Sequence, residues 1–229
     1  MEEERSGTQE TEDLFIGYWN KVFGDTQLRE VLVPIDQAHD TLLKAKVALR
    51  TIGEEHSAGR LADGQVPRLK ATLRQDAEKT AAKAAQASRA ALEQLTQQVH
   101  RELFATPARG GETAEGKQDI ALVVGGADDA GTAVQNKMAD AIRENDGLVV
   151  RLLASPWGRD LLSSKMPADT AGAVHSQLQA TALSAPPELF PQKQRAQLAR
   201  RALLPELRKG VDVGGILLDQ ETQDIFREA

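Results

Sequence analysis

The chain has no cysteine among its 229 residues and few aromatic side chains, with 5 Phe, 2 Trp and 1 Tyr. The absence of cysteine excludes disulfide bonds and thiolate metal sites. No apolar run approaches the roughly 18 to 20 residues that a membrane span needs, so we expect no membrane partner. The opening Met1-Glu2-Glu3-Glu4 is opposite in charge to the start of a signal peptide. We therefore expect a cytoplasmic protein, or one inside a particle assembled in the cytoplasm, such as a virion.

Large apolar residues are scarce, and alanine supplies much of the remaining apolar content. Alanine-rich chains with few aromatic residues pack helix against helix more easily than they fill a β-sandwich. The formal charge of -6 argues against general coating of nucleic acid, although a local basic patch stays open. The composition thus predicts a mainly α fold.

The N-terminal segment 1–24 combines an acidic arm with an aromatic cluster. Residues 1–13 carry six acidic side chains and no large apolar residue beyond Met1. The aromatic residues that follow are Phe15, Tyr18, Trp19 and Phe23. Such a cluster must be buried, either on this protein's own core or on a neighbouring subunit. We therefore treat these four residues as candidate partner-binding residues.

Residues 25–106 have the pattern of a long antiparallel helical hairpin, similar to a coiled coil. In the first helix apolar residues recur at alternating spacings of three and four, a heptad seam. The seam consists of Leu28, Val31, Ile35, Ala38, Leu42, Ala45, Leu49 and Ile52. Pro34 predicts either a helix start near Val33 or a kink there. Three glycines after Ile52 then predict a turn at about 58–65.

The second hairpin helix is predicted to run from about Pro67 to just before Pro107, with an alanine-rich stretch at 77–91. Its predicted length, nearly 60 Å at about 1.5 Å per residue, exceeds that of the first helix, about 40 Å. The excess leaves an apolar strip that either the C-terminal half or another subunit must cover.

Residues 107–118 have the composition of a linker and separate the hairpin from a C-terminal domain, 119–229. We expect this domain to be mostly helical. The alternative is a small βαβ unit, with strands at Ile120 to Val124 and at Leu148 to Leu153 around a helix capped by Asp128 or Asp129. Further along, Pro205 predicts a helix break, and Val211 to Leu218, with its Gly-Gly pair, is compatible with an extended segment.

No catalytic, cofactor-binding or metal-binding signature is evident. Gly126 and Gly131 have the spacing of a phosphate-binding loop, but Thr132 replaces the lysine and two aspartates would repel a phosphate. A helix-capping turn is the favoured interpretation. His39, His56, His100 and His175 show no pairing that would place two metal ligands on one helix face. We therefore expect a protein that is not an enzyme and has no cofactor.

Six basic residues gather in the predicted helix 192–209, with Glu206 as the one acid. They are Lys193, Arg195, Arg200, Arg201, Arg208 and Lys209. An ordinary solvated surface would explain them. The alternatives are contact with nucleic-acid phosphates and docking of an acidic segment such as residues 2–13 of a neighbouring copy.

These features together favour a non-enzymatic structural or assembly protein that forms a homo-oligomer through the hairpin and its aromatic N-terminal segment. Other protein subunits are expected as further partners. A bacteriophage virion component, such as a head-tail connector or neck protein, is one concrete version, by analogy of class alone. The first alternative is a nucleic-acid-binding accessory protein that uses the basic helix. The second is a nucleotide-binding or enzymatic βαβ domain around Gly125 to Thr132.

Overall fold

The computed structural model describes residues 26–227 with the exception of Arg109. These residues form nine α-helices, one short 3-10 turn and no β-strand. The helices are α1 (Thr26–Glu30), α2 (Val33–Ser57), α3 (Val66–Leu103), α4 (Gly111–Gly125), α5 (Ala130–Arg143), α6 (Gly147–Ala154), α7 (Pro156–Ser163), α8 (Ala168–Ser184) and α9 (Gln192–Arg227). The predicted mainly α fold is confirmed. The βαβ alternative is wrong, because Ile120 to Val124 lies in α4 and Leu148 to Leu153 lies in α6.

The chain divides into two compact units. Unit 1 contains the described residues up to Thr96 and those from Leu203 onward, whereas unit 2 contains Gln97–Ala202. Helices α3 and α9 each contribute to both units. These divisions differ from the segments predicted above, and most of the predicted linker is helical, since α4 begins at Gly111.

Unit 1 contains the predicted hairpin helices, α2 and α3, together with the second half of α9. Helix α2 begins at Val33 with proline in its first turn, where the proline's missing N–H leaves no helical hydrogen bond unmade. Ile35, Ala38, Leu42 and Leu49 of the heptad seam are buried in α2. The buried residues of α3 within this unit are Ala77, Ala81, Ala84, Ser88, Leu92 and Leu95.

The second half of α9 packs against both hairpin helices. A Cβ on Gly214 would lie 2.9 Å from Cδ1 of Ile35, and a Cβ on Gly215 would lie 3.4 Å from Cβ of Ala85. The glycine pair therefore serves close helix packing. Both predictions for this region, a break at Pro205 and an extended segment at Val211 to Leu218, are wrong, because α9 continues through them.

The direction of α9 follows from its contacts. Ile35 meets Gly214, and Nδ1 of His39 lies 2.8 Å from Oε2 of Glu221, so α9 runs parallel to α2. Helix α9 ends at Arg227, six residues after Glu221, and is thus level with about residue 45 of α2 at about 1.5 Å per residue. Helix α2 continues to Ser57, roughly 18 Å further, with no third helix beside it among the described residues.

Unit 2 has its own hydrophobic core, which includes Leu103 and Phe104 at the end of α3. Gln194 Nε2 at the start of α9 donates a hydrogen bond of 2.9 Å to the Leu103 carbonyl, which α3 itself leaves unpaired. The excess length of the second hairpin helix is therefore covered by the C-terminal half of the same chain. The unmatched length of this helix is therefore not an argument for a second subunit.

Candidate interaction surfaces

The glycine-rich segment before α5 is a helix-capping turn. Asp129 is the N-cap of α5; its Oδ1 accepts the Gly131 N–H at 2.9 Å and its Oδ2 accepts the Thr132 hydroxyl at 2.6 Å. These hydrogen bonds, first the one from Thr132, lower the pKa of the Asp129 carboxyl. The carboxylate thus occupies the N–H groups that a phosphate would need, and the favoured interpretation is confirmed.

Each of the four histidines has its own structural partner. His39 contacts Glu221, His56 Nε2 lies 2.9 Å from Oδ1 of Asp63, and the ring of His100 packs edge-on against Phe104. His175 is buried, and its Nε2 donates to the Ser155 carbonyl at 2.9 Å. Burial is the main cause that lowers the His175 pKa. Within the described chain, no three His, Asp or Glu side chains converge as metal ligands.

The six basic candidate residues all lie on α9, as predicted. In unit 2, Lys193, Arg195 and Arg201 are exposed and Arg200 is half-buried. In unit 1, Arg208 and Lys209 are exposed, and Lys209 Nζ lies 2.7 Å from Oε1 of Glu206. The basic side chains in each unit are therefore largely exposed, and in unit 2 they alternate along the helix with the buried Gln194 and Gln197.

The aromatic candidates Phe15, Tyr18, Trp19 and Phe23 lie outside the described residues, as does the acidic arm. Their binding role stays a prediction. The nearest described element is α1, in which Leu28 is 1% exposed and belongs to the core of unit 1. The aromatic segment is thus joined to unit 1 through a short stretch of chain.

Helix α9 has an exposed apolar face that the sequence pattern did not predict. Val213, Ile216 and Leu217 are 46%, 57% and 43% exposed, although the neighbouring Val211, Gly214 and Leu218 are buried. In the stretch 211–218 Asp212 is the one polar residue, so this part of α9 is apolar around almost its whole circumference. A helix of that kind is normally buried on all sides. The lack of a polar face in the sequence was the signal that could have identified it.

A second exposed apolar strip lies on α2, and we call it the α2 strip: Leu43, Lys44, Lys46 and Val47. Leu43 is 44% exposed and Val47 is 66% exposed, and both lie off the heptad seam. A shallow open groove along this face is lined by Asp40, Leu43, Lys44, Val47 and Ala48. The heptad seam predicted the buried face of α2 but not the exposure of apolar residues on its opposite face.

No protein-family model, curated protein or solved structure matches this chain. None of the helices in the described part of the chain is both long and apolar enough to span a membrane. Inferences about function therefore depend on the exposed surfaces.

Proposed function

We propose that this chain is a non-enzymatic structural or assembly protein that forms a homo-oligomer through the apolar face of α9 in unit 1. The observation that carries the proposal is the exposure of Val213, Ile216 and Leu217 on one side of a helix segment whose other side is also apolar. Clustered exposed apolar residues commonly mark protein contacts. The three exposed residues of this face are all apolar, with Asp212 at its border paired to Arg89. A second copy of the same face is therefore a chemically matched partner.

The distribution of exposed apolar residues supports this location. Nine large apolar residues are exposed in the described chain, and all but Leu122 and Val123 belong to unit 1. The unit 1 residues are Val33, Leu43, Val47, Leu69, Val213, Ile216 and Leu217. Exposed apolar residues scattered evenly over the surface would need no explanation. Their concentration in unit 1 favours this unit as the contact region.

Light scattering coupled to gel filtration, at micromolar protein and low salt, tests the proposal. We expect the unmodified chain to be larger than a monomer and Ile216→Asp to shift it towards monomer. Leu122→Asp is the matched control, because Leu122 is 66% exposed on a helix of unit 2. A strictly monomeric unmodified chain would overturn the proposal, and equal dissociation by both variants would exclude the α9 face as the contact.

The narrower proposal of a bacteriophage virion component, such as a connector or neck protein, rests on analogy of class alone. It requires a closed ring of many copies, whereas the apolar α9 face would also suit a dimer. Electron microscopy of the purified protein separates the two, since rings support the virion proposal and uniform dimers contradict it.

A nucleic-acid-binding function is the second candidate, and the exposed basic side chains of α9 favour it. Lys193, Arg195 and Arg201 are all exposed on the part of α9 that belongs to unit 2. Fluorescence anisotropy with labelled DNA and RNA at low salt should then show binding that weakens steeply with added salt. Arg195→Glu with Arg201→Glu should abolish it, whereas Arg50→Glu with Arg74→Glu, on α2 and α3, should not. Absence of binding by the unmodified chain removes this candidate.

A further inference from the structure

The α2 strip combines exposed apolar and basic side chains. It lies in the part of unit 1 where α9, the helix packed beside α2, ends. Val47 is among the most exposed large apolar residues of the described chain. Lys44 and Lys46 beside it are exposed, and neither forms an ion pair with another described residue. The strip therefore offers apolar contact flanked by two positive charges, and the face of α9 used in the proposed assembly does not include it.

We propose that residues 14–23 of the same chain dock on the α2 strip. This segment holds Phe15, Tyr18, Trp19 and Phe23, half of the aromatic residues of the whole chain. Aromatic side chains bury large apolar areas and also bind ammonium groups over their faces, so they match both components of the strip.

The length of chain before α1 allows this contact. The strip lies 17 to 21 residues after Thr26, at most about 25 to 31 Å along α1 and α2. The chain between Thr26 and Phe15 spans roughly 36 to 40 Å when extended, and that between Thr26 and Trp19 roughly 23 to 25 Å. Phe15 therefore reaches the whole strip, and Trp19 reaches its Leu43 end, without any change in the helices.

Charge supports the same occupant. Residues 1–13 carry six acidic side chains and one arginine, so the arm that precedes the aromatic segment is strongly negative. Asp40 also lines the groove and Arg50 pairs with Glu54 at 3.0 Å, so the positive charge of the strip comes from Lys44 and Lys46. Opposite charges of this kind orient a docking segment and favour it over segments without an acidic arm.

The short connection favours the same chain over a second copy. A short link within one chain gives an effective concentration in about the millimolar range, far above the micromolar concentration of a second copy in solution. Even modest contact energy then suffices for docking within one chain. This inference does not depend on the proposed assembly, because it concerns another face of unit 1.

The absence of native cysteine allows a direct test by disulfide formation in the full-length chain. Phe15→Cys with Val47→Cys should form a bond within one chain under mild oxidation at submicromolar protein, as detected by intact mass and non-reducing gel migration. Phe15→Cys with Leu122→Cys is the matched control, since Leu122 and Val47 are equally exposed at 66%. A covalent dimer would assign the strip to a second copy, and a bond no faster than in the control would exclude docking. Either result overturns the proposal.

Tryptophan fluorescence gives a second readout without introduced cysteines. In a Trp157→Phe background Trp19 is the sole tryptophan. Leu43→Asp with Val47→Asp should shift its emission to the red and raise acrylamide quenching, with an unchanged circular dichroism spectrum, whereas Leu122→Asp should do neither. Trp19 already fully quenchable in the background chain would overturn the proposal. The α2 strip lies outside the α9 face, so the expected change in emission is the same whether or not the chain assembles, and failure of the assembly proposal would leave the result interpretable.

Discussion

At the scale of single residues, replacing either of two glycines in unit 2 by alanine should change the free energy of unfolding in opposite directions. A Cβ on Gly158 in α7 would overlap the backbone carbonyl of Leu153, whereas a Cβ on Gly172 in α8 would meet nothing within 4 Å. Gly158→Ala should lower the free energy of unfolding by about 1 to 3 kcal/mol or more, because backbone atoms must move. Gly172→Ala should raise it by about 0.5 to 1 kcal/mol, through better helix propensity.

Urea unfolding followed by circular dichroism measures both glycine variants under one set of conditions. The comparison is informative because both glycines lie within helices of one unit and both changes add a single methyl group. Equal stability of the two variants would contradict the close contact between α7 and the end of α6.

His175 gives unit 2 a pH dependence. Burial is the main cause that lowers its pKa; hydrogen bonds to the Ser155 and Ala154 carbonyls oppose it, and electrostatic interactions with Arg159 and His100 add to it. The folded state therefore binds fewer protons than the unfolded state, whose pKa is about 6.5. The stabilisation is fully present above that value and is lost as the pH falls towards the lowered pKa.

Replacing His175 by glutamine isolates this effect. The glutamine keeps an N–H donor for the Ser155 carbonyl but does not titrate. The urea midpoint of the unmodified chain should fall between pH 7 and pH 5.5 more steeply than that of His175→Gln. Parallel slopes would show that His175 is not the group responsible.

At the scale of elements, the contact between α2 and α9 depends on the absence of a side chain at position 214. Gly214→Val should destabilise unit 1 by about 1 to 3 kcal/mol, because Ile35 already fills the adjacent space. Combining it with Ile35→Ala should give less destabilisation than the sum of the two single changes, since the valine then occupies vacated volume. A double-mutant cycle from chemical unfolding measures this coupling, and strict additivity would contradict the assigned contact.

The sequence predicted helices well where local and long-range signals agreed. The heptad seam with Pro34 at its start predicted α2, and the alanine-rich repeat predicted α3. The sequence failed at α9, because Pro205 and the Gly214-Gly215 pair are local helix breakers whose cost tertiary packing offsets. The β-branched residues at Ile120 to Val124 likewise suggested a strand. Burial of Ile120 and Val124 on one face of α4 outweighs the preference of these residue types for strands.

The candidate surfaces were predicted less completely than the helices. The basic residues were located correctly on one helix, because charge can be read directly from the sequence. The exposed apolar residues of α9 could not be located, because their exposure depends on which neighbours pack against α9 and on which side. A heptad seam predicts which face of a helix is buried. A helix segment that is apolar on all sides does not indicate which of its faces will be exposed.

At the scale of the whole molecule, unit 2 is continuous in sequence and has a core of its own. A fragment of residues 97–202 should therefore fold alone, with helical circular dichroism and a cooperative thermal transition. Residues 1–96 expressed alone should be less stable than unit 1 in the full chain, because they lack the α9 helix that buries Ile35. An unfolded 97–202 fragment would contradict the division into units.

The contact between His39 and Glu221 joins residues 182 positions apart. On the ribosome, the two hairpin helices of unit 1 are synthesised before unit 2, and the second half of α9 is synthesised after it. Unit 1 is therefore incomplete until the end of synthesis. Unit 2 is then free to fold first, while the apolar seam of the hairpin stays without its third helix. During synthesis, that interval is when the nascent chain is most exposed to aggregation or chaperone binding.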